Sequence, residues 1–353
     1  MSLFENKDLV KLYFQYLTFE ELLFTISLCT SKWKQILEDP ICWKYTTLKM
    51  KFLPRDKKQI QRPYPSFLKI YPPLSSLLFH EEYSIQNYFH YMEPSSHSFL
   101  TLHTQLYMGV ITRHFKETLK KLNVQNISCH EIDPLLIQPL NHLEEFDFEG
   151  RFDYHKRLNI LNMDQLEKIN ENWSNLKRLK FKNLDFSSLK PLQNLKYLED
   201  LDLEGCRVYY FKTYYELLQF KHLLHLKIIK MDQFDEIITK ENILKDGLSE
   251  EKEEEKKQKE LFNYLPNLQS LEISTYYQFL LSFISSKELT TFKYRFKEKK
   301  EILTLNSLLL FQNIKEIYLI PFYKEEEQEE KDFSLSKQEI KDLFPTIKRV
   351  FVL

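Results

Sequence analysis

From about residue 115 onward, apolar residues recur in one order: apolar, two variable, apolar, two variable, apolar, one variable, apolar. The pattern stands as Leu140/Leu143/Phe146/Phe148, Trp173/Leu176/Leu179/Phe181, Leu195/Leu198/Leu201/Leu203 and Phe220/Leu223/Leu226/Ile228. It continues as Leu265/Leu268/Leu271/Ile273, Phe311/Ile314/Ile317/Leu319 and Phe344/Ile347/Val350/Val352, with shorter copies at Leu119/Leu122/Val124 and Leu289/Phe292/Tyr294. Measured at the last apolar position, successive copies lie 24, 33, 22, 25, 45, 21, 25 and 33 residues apart. An apolar-x-apolar step is a strand with one buried face, since side chains alternate along a strand. Burying four such side chains gives about 6–12 kcal/mol, whereas ordering about 24 residues costs about 24–48 kcal/mol in backbone entropy. One copy cannot stand alone, so the copies must stack.

The pattern resembles the leucine-rich repeat, whose usual period is about 20–29 residues. Leu201-Asp-Leu203-Glu-Gly-Cys206 matches the Leu-x-Leu-x-x-Cys step of its cysteine-containing subclass; the other copies lack Cys or Asn there. The expectation for residues 115–353 is therefore an α/β architecture, a curved right-handed solenoid carrying one parallel sheet. Residues 162–170 and 213–220 read as short convex helices. Charged runs near 241–260 and 324–332 read as solvated insertions that lengthen two of the spacings.

Residues flanking the strand cores point to the open face, giving rungs that can be read in order. Glu145/Asp147/Glu149, Arg178/Lys180/Lys182 and Asp200/Asp202/Glu204 alternate in sign, which predicts ion pairs across neighbouring strands. The last rungs carry Tyr318, Ile320, Phe351 and Leu353 beside Lys293 and Arg295. These six are the candidate substrate-binding residues, because an apolar patch on such a face marks a contact surface.

The N-terminal fifty residues have a different texture. Ser2-x-x-Glu5 and Thr18-x-x-Glu21 are capping boxes, each followed by apolar residues at helical spacing. A third helix with Trp33, Ile36 and Leu37 stops at Asp39-Pro40, and Trp43 follows. A unit this small with two Trp implies an interface as well as a core. Residues 3–48 resemble an F-box: Leu17 closing helix one, Glu21-Leu22, Cys29 through Trp33, Asp39-Pro40 and Trp43 fall at the family's positions, while its opening Leu-Pro stands here as Leu3-Phe4. That resemblance implies docking on a Skp-family adaptor, and through it on a cullin, by Leu3, Phe4, Leu9, Leu17, Leu22, Cys29, Trp33 and Trp43. The domain reading is thus 1–50 F-box-like, 51–114 a partly helical connector rich in Pro and aromatic residues, with a helix near Ser75–Met92, and 115–353 repeats.

Composition excludes several chemistries. Four scattered Gly cannot build a dinucleotide or P-loop phosphate cradle. Lys+Arg 50 against Asp+Glu 51 gives net charge −1, which does not suit a general grip on nucleic acid. In Phe292-Lys-Tyr-Arg-Phe-Lys the aromatics fall on inward positions, so nucleic acid is not an expected partner. No membrane span or signal-like run is evident, and Cys29, Cys42, Cys129 and Cys206 lack metal-ligand spacing, so reduced thiols in a soluble intracellular protein are expected. His222 and His225 have no evident third ligand. No catalytic residues, metal or cofactor are expected. F-box and repeats together resemble F-box/leucine-rich-repeat proteins, which implies a non-catalytic substrate receptor of an SCF-type ubiquitin ligase, cytoplasmic or nuclear, holding a protein target on its repeats. The alternatives are a repeat scaffold with no ligase role and a nucleic-acid adaptor using Arg178, Lys180 and Lys182.

Overall fold

The computed structural model describes residues 42, 47–52, 76–81, 112–113, 115–127, 129, 132–151, 160–208, 211–229, 264–282, 284–296, 299–302, 305, 311, 313–321, 343–344 and 347–352. The chain divides into two compact units, residues 1–159 with 168–176, and residues 160–167 with 177–353. The expected three-helix F-box lies outside the described residues, apart from the buried Cys42 and the strand that opens at Thr47.

In the first unit, β1 (Thr47–Phe52), β2 (Ser76–Glu81), β3 (Lys121–Ile127) and β4 (Glu145–Gly150) run parallel in chain order. The register aligns Leu48 with Leu77 and Leu122, then Leu122 with Phe146. A single apolar row thereby runs across four strands. The short helix α1 (Asp133–Leu136) returns the chain from β3 to β4. Trp173 is fully buried, its ring edge-on to Phe146 at 4.7 Å and its indole N–H donating to the Gln138 carbonyl at 3.0 Å.

The helix expected near Ser75–Met92 is corrected over residues 76–81, which form β2. Leu74-x-x-Leu77-x-Phe79 carries the repeat pattern, and Leu48-x-Met50 carries its strand step. Partners on both sides, β1 and β3, fix Ser76–Glu81 as extended chain. Tertiary pairing overrides local propensity here. The strand ladder therefore begins well before residue 115.

β5 (Ile160–Leu161) precedes α2 (Met163–Asn172), whose residues 163–167 fall in the second unit and 168–172 in the first. An Asn162–Gln165 capping box starts that helix: Asn162 Oδ1 accepts the Gln165 N–H at 2.9 Å, and Gln165 Oε1 accepts the Asn162 N–H at 3.1 Å. The main strands are β6 (Arg178–Lys182), β8 (Asp200–Glu204), β10 (His225–Ile229), β11 (Ser270–Ser274), β12 (Thr291–Phe296), β13 (Glu316–Pro321) and β14 (Arg349–Val352), all parallel and adjacent in that order. Between them lie β7 (Asp185–Phe186), a 3-10 turn at Lys190–Asn194, β9 (Arg207–Val208), α3 (Phe211–Leu218), a second 3-10 segment at Thr275–Ser282 and α4 (Lys299–Ile302). The helices expected at 162–170 and 213–220 correspond to α2 and α3.

The described residues form a largely parallel sheet with few helices, consistent with the expected leucine-rich-repeat solenoid. The inward pairs from Leu122/Val124 through Ile317/Leu319 are each at most 2% exposed, and each such side chain contributes about 1.5–3 kcal/mol by leaving water. The final copy departs from the pattern. In β14 Val350 is half-buried and Val352 is 41% exposed, because β14 lies at the edge of the strand order.

The expectation of a single sheet is corrected too. β5, β7 and β9 form a second, three-stranded parallel sheet. Asp185 and Arg207 face one another there, with Arg207 Nε donating to Asp185 Oδ1 at 2.8 Å and a second guanidinium nitrogen donating to Oδ2 at 3.3 Å. The chain reaches this sheet by turning after the main strand with positive φ at Asn183 (57°) and Gly205 (67°). Asn and Gly tolerate that left-handed conformation best. Cys206 follows directly, its thiol donating to the Phe181 carbonyl of the preceding repeat at 3.3 Å.

Candidate interaction surface

The alternating-sign rungs form the expected ladder in the second unit. Arg178 meets Asp200 at 3.7 Å, and Lys180 meets Asp202 at 3.6 Å. Lys227 lies 3.3 Å from Asp202 and also pairs with Glu204. Farther along, Arg295 holds Glu272 at 2.9 Å and Arg349 holds Glu316 at 3.0 Å. The first unit repeats the device with Lys121 and Glu145 at 2.9 Å. Such exposed pairs contribute little stability individually. Their effect is to neutralise the face locally.

The two central carboxylates differ in character. Burial raises the Asp202 pKa above the ordinary carboxylate value, more than the charges of Lys227 and Lys180 lower it. Burial also disfavours charge on Glu204, but the Lys227 hydrogen bond and the charges of Lys227, Lys180 and Lys182 outweigh it and lower its pKa. Lys227 is partly buried, yet its bond to Glu204 and the nearby carboxylates raise its pKa.

The last rungs are built otherwise. Tyr318 and Phe351 stand opposite each other on β13 and β14, and their rings stack at 4.7 Å with an interplanar angle of 14°. Lys293, on the neighbouring strand β12, holds its ammonium 5.6 Å from the Tyr318 ring centroid. The Tyr318 hydroxyl donates to Glu316 Oε2 at 3.1 Å, and that hydrogen bond is the main reason its pKa lies above the usual phenol value. Phe351 is 36% exposed, and Ile320 is half-buried on the same outward face. In this arrangement two rings stack face to face across neighbouring strands, and an ammonium lies beside the Tyr318 end of the stack.

Of the six candidate substrate-binding residues, the fold brings Lys293, Tyr318 and Phe351 into direct succession. Ile320 sits opposite Arg295 in register. Arg295 itself is tied to Glu272, and Leu353 lies outside the described residues. All eight adaptor-binding candidates, Leu3, Phe4, Leu9, Leu17, Leu22, Cys29, Trp33 and Trp43, also lie outside them. Sequence reasoning missed Glu316 as the group that fixes both the Tyr318 hydroxyl and Arg349; its register opposite Arg349 was the available signal. It also missed a structural asparagine. Asn267 donates to the Lys221 carbonyl of the preceding repeat at 2.8 Å, and Asn175 and Asn313 do the same toward Asn141 and Lys287. Each stands just before the second apolar residue of its copy, a spacing visible in the sequence.

Phe292, Tyr294 and Phe296 are fully buried, and among the described residues of that basic–aromatic run Lys293 and Arg295 lie on the outward face. His222 and His225 are exposed, and among the described residues no group of three or more His, Cys, Asp or Glu could hold a metal ion. Cys42, Cys129 and Cys206 are buried thiols. No helix among the described residues is long and apolar enough to cross a membrane.

No protein-family model matches the chain, and no curated protein sequence does. Among solved structures, the chain is similar to internalin C2 of Listeria monocytogenes at 12% identity and a TM-score of 0.30, over 68% of this chain and 74% of that one. It is also similar to a second internalin of that organism, inlF, at 12% identity and a TM-score of 0.32, over 75% of this chain and 70% of that one.

Proposed function

We propose that this chain is a non-catalytic protein-recognition module whose strand face at β12–β14 holds a protein target. The observation that carries the reading is the stacked Tyr318–Phe351 pair, with Phe351 left 36% exposed on a face whose other charged rungs are largely paired off. Aromatic side chains open to solvent beside a cation have the composition of an interface centre. Replacing Tyr318 and Phe351 together by Ala should abolish capture of the target by the full chain, while a thermal melt shows the fold intact. Retained capture would refute the assignment.

The finer reading is that the target is presented for ubiquitin transfer. The F-box resemblance of residues 3–48 supports it, with docking through a Skp-family adaptor to a cullin in the cytoplasm or nucleus. Proximity would then be the whole effect, since holding target and charged enzyme together raises their effective concentration. A pull-down with the adaptor tests this: wild type should bind, and Leu22→Asp with Trp33→Asp should not. If neither chain binds, the repeats act as a scaffold with no ligase role. The nucleic-acid reading is disfavoured by the pairing of Arg178 with Asp200 and of Lys180 with Asp202, which removes the excess charge it needs.

A further inference from the structure

Glu272 lies directly opposite Lys293 in the strand register, and the two would ordinarily pair across the ladder. Glu272 is taken instead by Arg295, the next outward residue along β12, at 2.9 Å. The other nearby carboxylate, Glu316, is held by Arg349 and the Tyr318 hydroxyl. Lys293 consequently makes no ion pair among the described residues, and its ammonium rests over the Tyr318 ring. Among the described residues, this surface thus offers a cation without an ion pair at one end of the ring stack and an exposed ring at the other.

Resting on the protein-recognition reading above, we infer that this surface takes an extended protein segment bearing an acidic side chain two or three positions from an aromatic or aliphatic one. The carboxylate meets Lys293. The apolar side chain lies on Phe351 and the flank of Tyr318, beside Ile320. The spacing follows from geometry: β12 and β14 are two strand separations apart, about 9.5 Å, and an extended chain advances about 3.3 Å per residue. Charge complementarity selects the sign, because the cation lacking an ion-pair partner would otherwise lose water without replacement when covered. Single-stranded nucleic acid fits less well, since its backbone needs a continuous basic groove and this face alternates Glu272 and Glu316 with its cations.

The test is selection of random peptides displayed on phage against the full chain, counter-selected against the chain carrying Tyr318→Ala and Phe351→Ala. Enriched peptides should share Asp or Glu two or three positions from Phe, Trp, Tyr or Leu. A synthetic peptide of that type should lose about tenfold or more in affinity on Lys293→Glu, while its Lys-for-Glu counterpart should gain. Lys293 is a surface residue, so its variant stays folded even if the double aromatic variant does not. Enrichment with no acidic preference, or affinity unmoved by Lys293→Glu, overturns the inference, as does an oligouridine that competes with the peptide and binds more tightly. If the acidic preference is absent while the aromatic double variant still abolishes target capture, only this inference falls. If target capture also persists, the recognition reading falls with it.

Discussion

Asp202 and Glu204 stand two residues apart on one strand and are expected to respond to pH in opposite senses. The folded-state pKa of Asp202 is raised, so the unfolded chain loses that proton first and stability declines as pH rises past its ordinary value near 4. Asp202→Asn should therefore leave Tm equal or higher at pH 7, with the difference vanishing near pH 3. The folded-state pKa of Glu204 is lowered, so its contribution is present above about pH 4.5 and disappears as pH falls through the folded value. Glu204→Gln should lower Tm at pH 7 and have no effect in acid. Thermal melts across pH check both signs, and two variants shifting in the same direction would refute the assignment. Glu216 tests a different kind of residue. Its buried carboxylate accepts the Ser188 hydroxyl and the Leu189 N–H, both at 2.7 Å, and the Lys190 N–H at 3.2 Å, which anchors the start of a 3-10 turn. Glu216→Ala strands those donors and should cost about 2 kcal/mol in a denaturant titration.

At the scale of elements, the turn between the main strands and the small second sheet is the sensitive joint. Gly205 holds φ at 67°, so Gly205→Ala should cost about 1 kcal/mol, while Asn183→Gly at the equivalent turn should be nearly neutral. Arg207→Ala should cost about 3 kcal/mol, because it leaves Asp185, with its side chain 4% exposed, as a buried charge without its guanidinium. Equilibrium unfolding of the three variants gives the ranking. The main strands were legible because Leu-x-Leu pairs such as Leu201/Leu203 and Leu271/Ile273 impose period two, and the two apolar residues that precede each pair at three-residue steps fix their phase. β1 and β2 were obscured: Leu48-x-Met50 and Leu77-x-Phe79 carry only part of the motif, and the prolines and aromatics around them suggest a connector. The second sheet left no pattern to read, since two-residue strands are too short for any periodicity. Its formation depends on where Asn183 and Gly205 turn the chain.

For the molecule as a whole, the outward rungs could be listed from sequence in full, yet their sum could not. That Lys293 makes no ion pair among the described residues depends on Glu272 choosing Arg295 on the diagonal, which only side-chain geometry decides. The stacking of Tyr318 on Phe351 likewise needs β13 and β14 in register across the intervening 27 residues between them. Repetition thus supplies a neutral, ion-paired face, and the break in repetition at β12–β14 supplies the surface for recognition. A photo-activatable residue substituted for Ile320 in the full chain examines that division directly. The face at β12–β14 should cross-link a discrete protein, and the adduct should disappear when Tyr318 and Phe351 are both Ala. A chain that yields no protein adduct from position 320, or the same adduct with both rings removed, would show that the target is not held there.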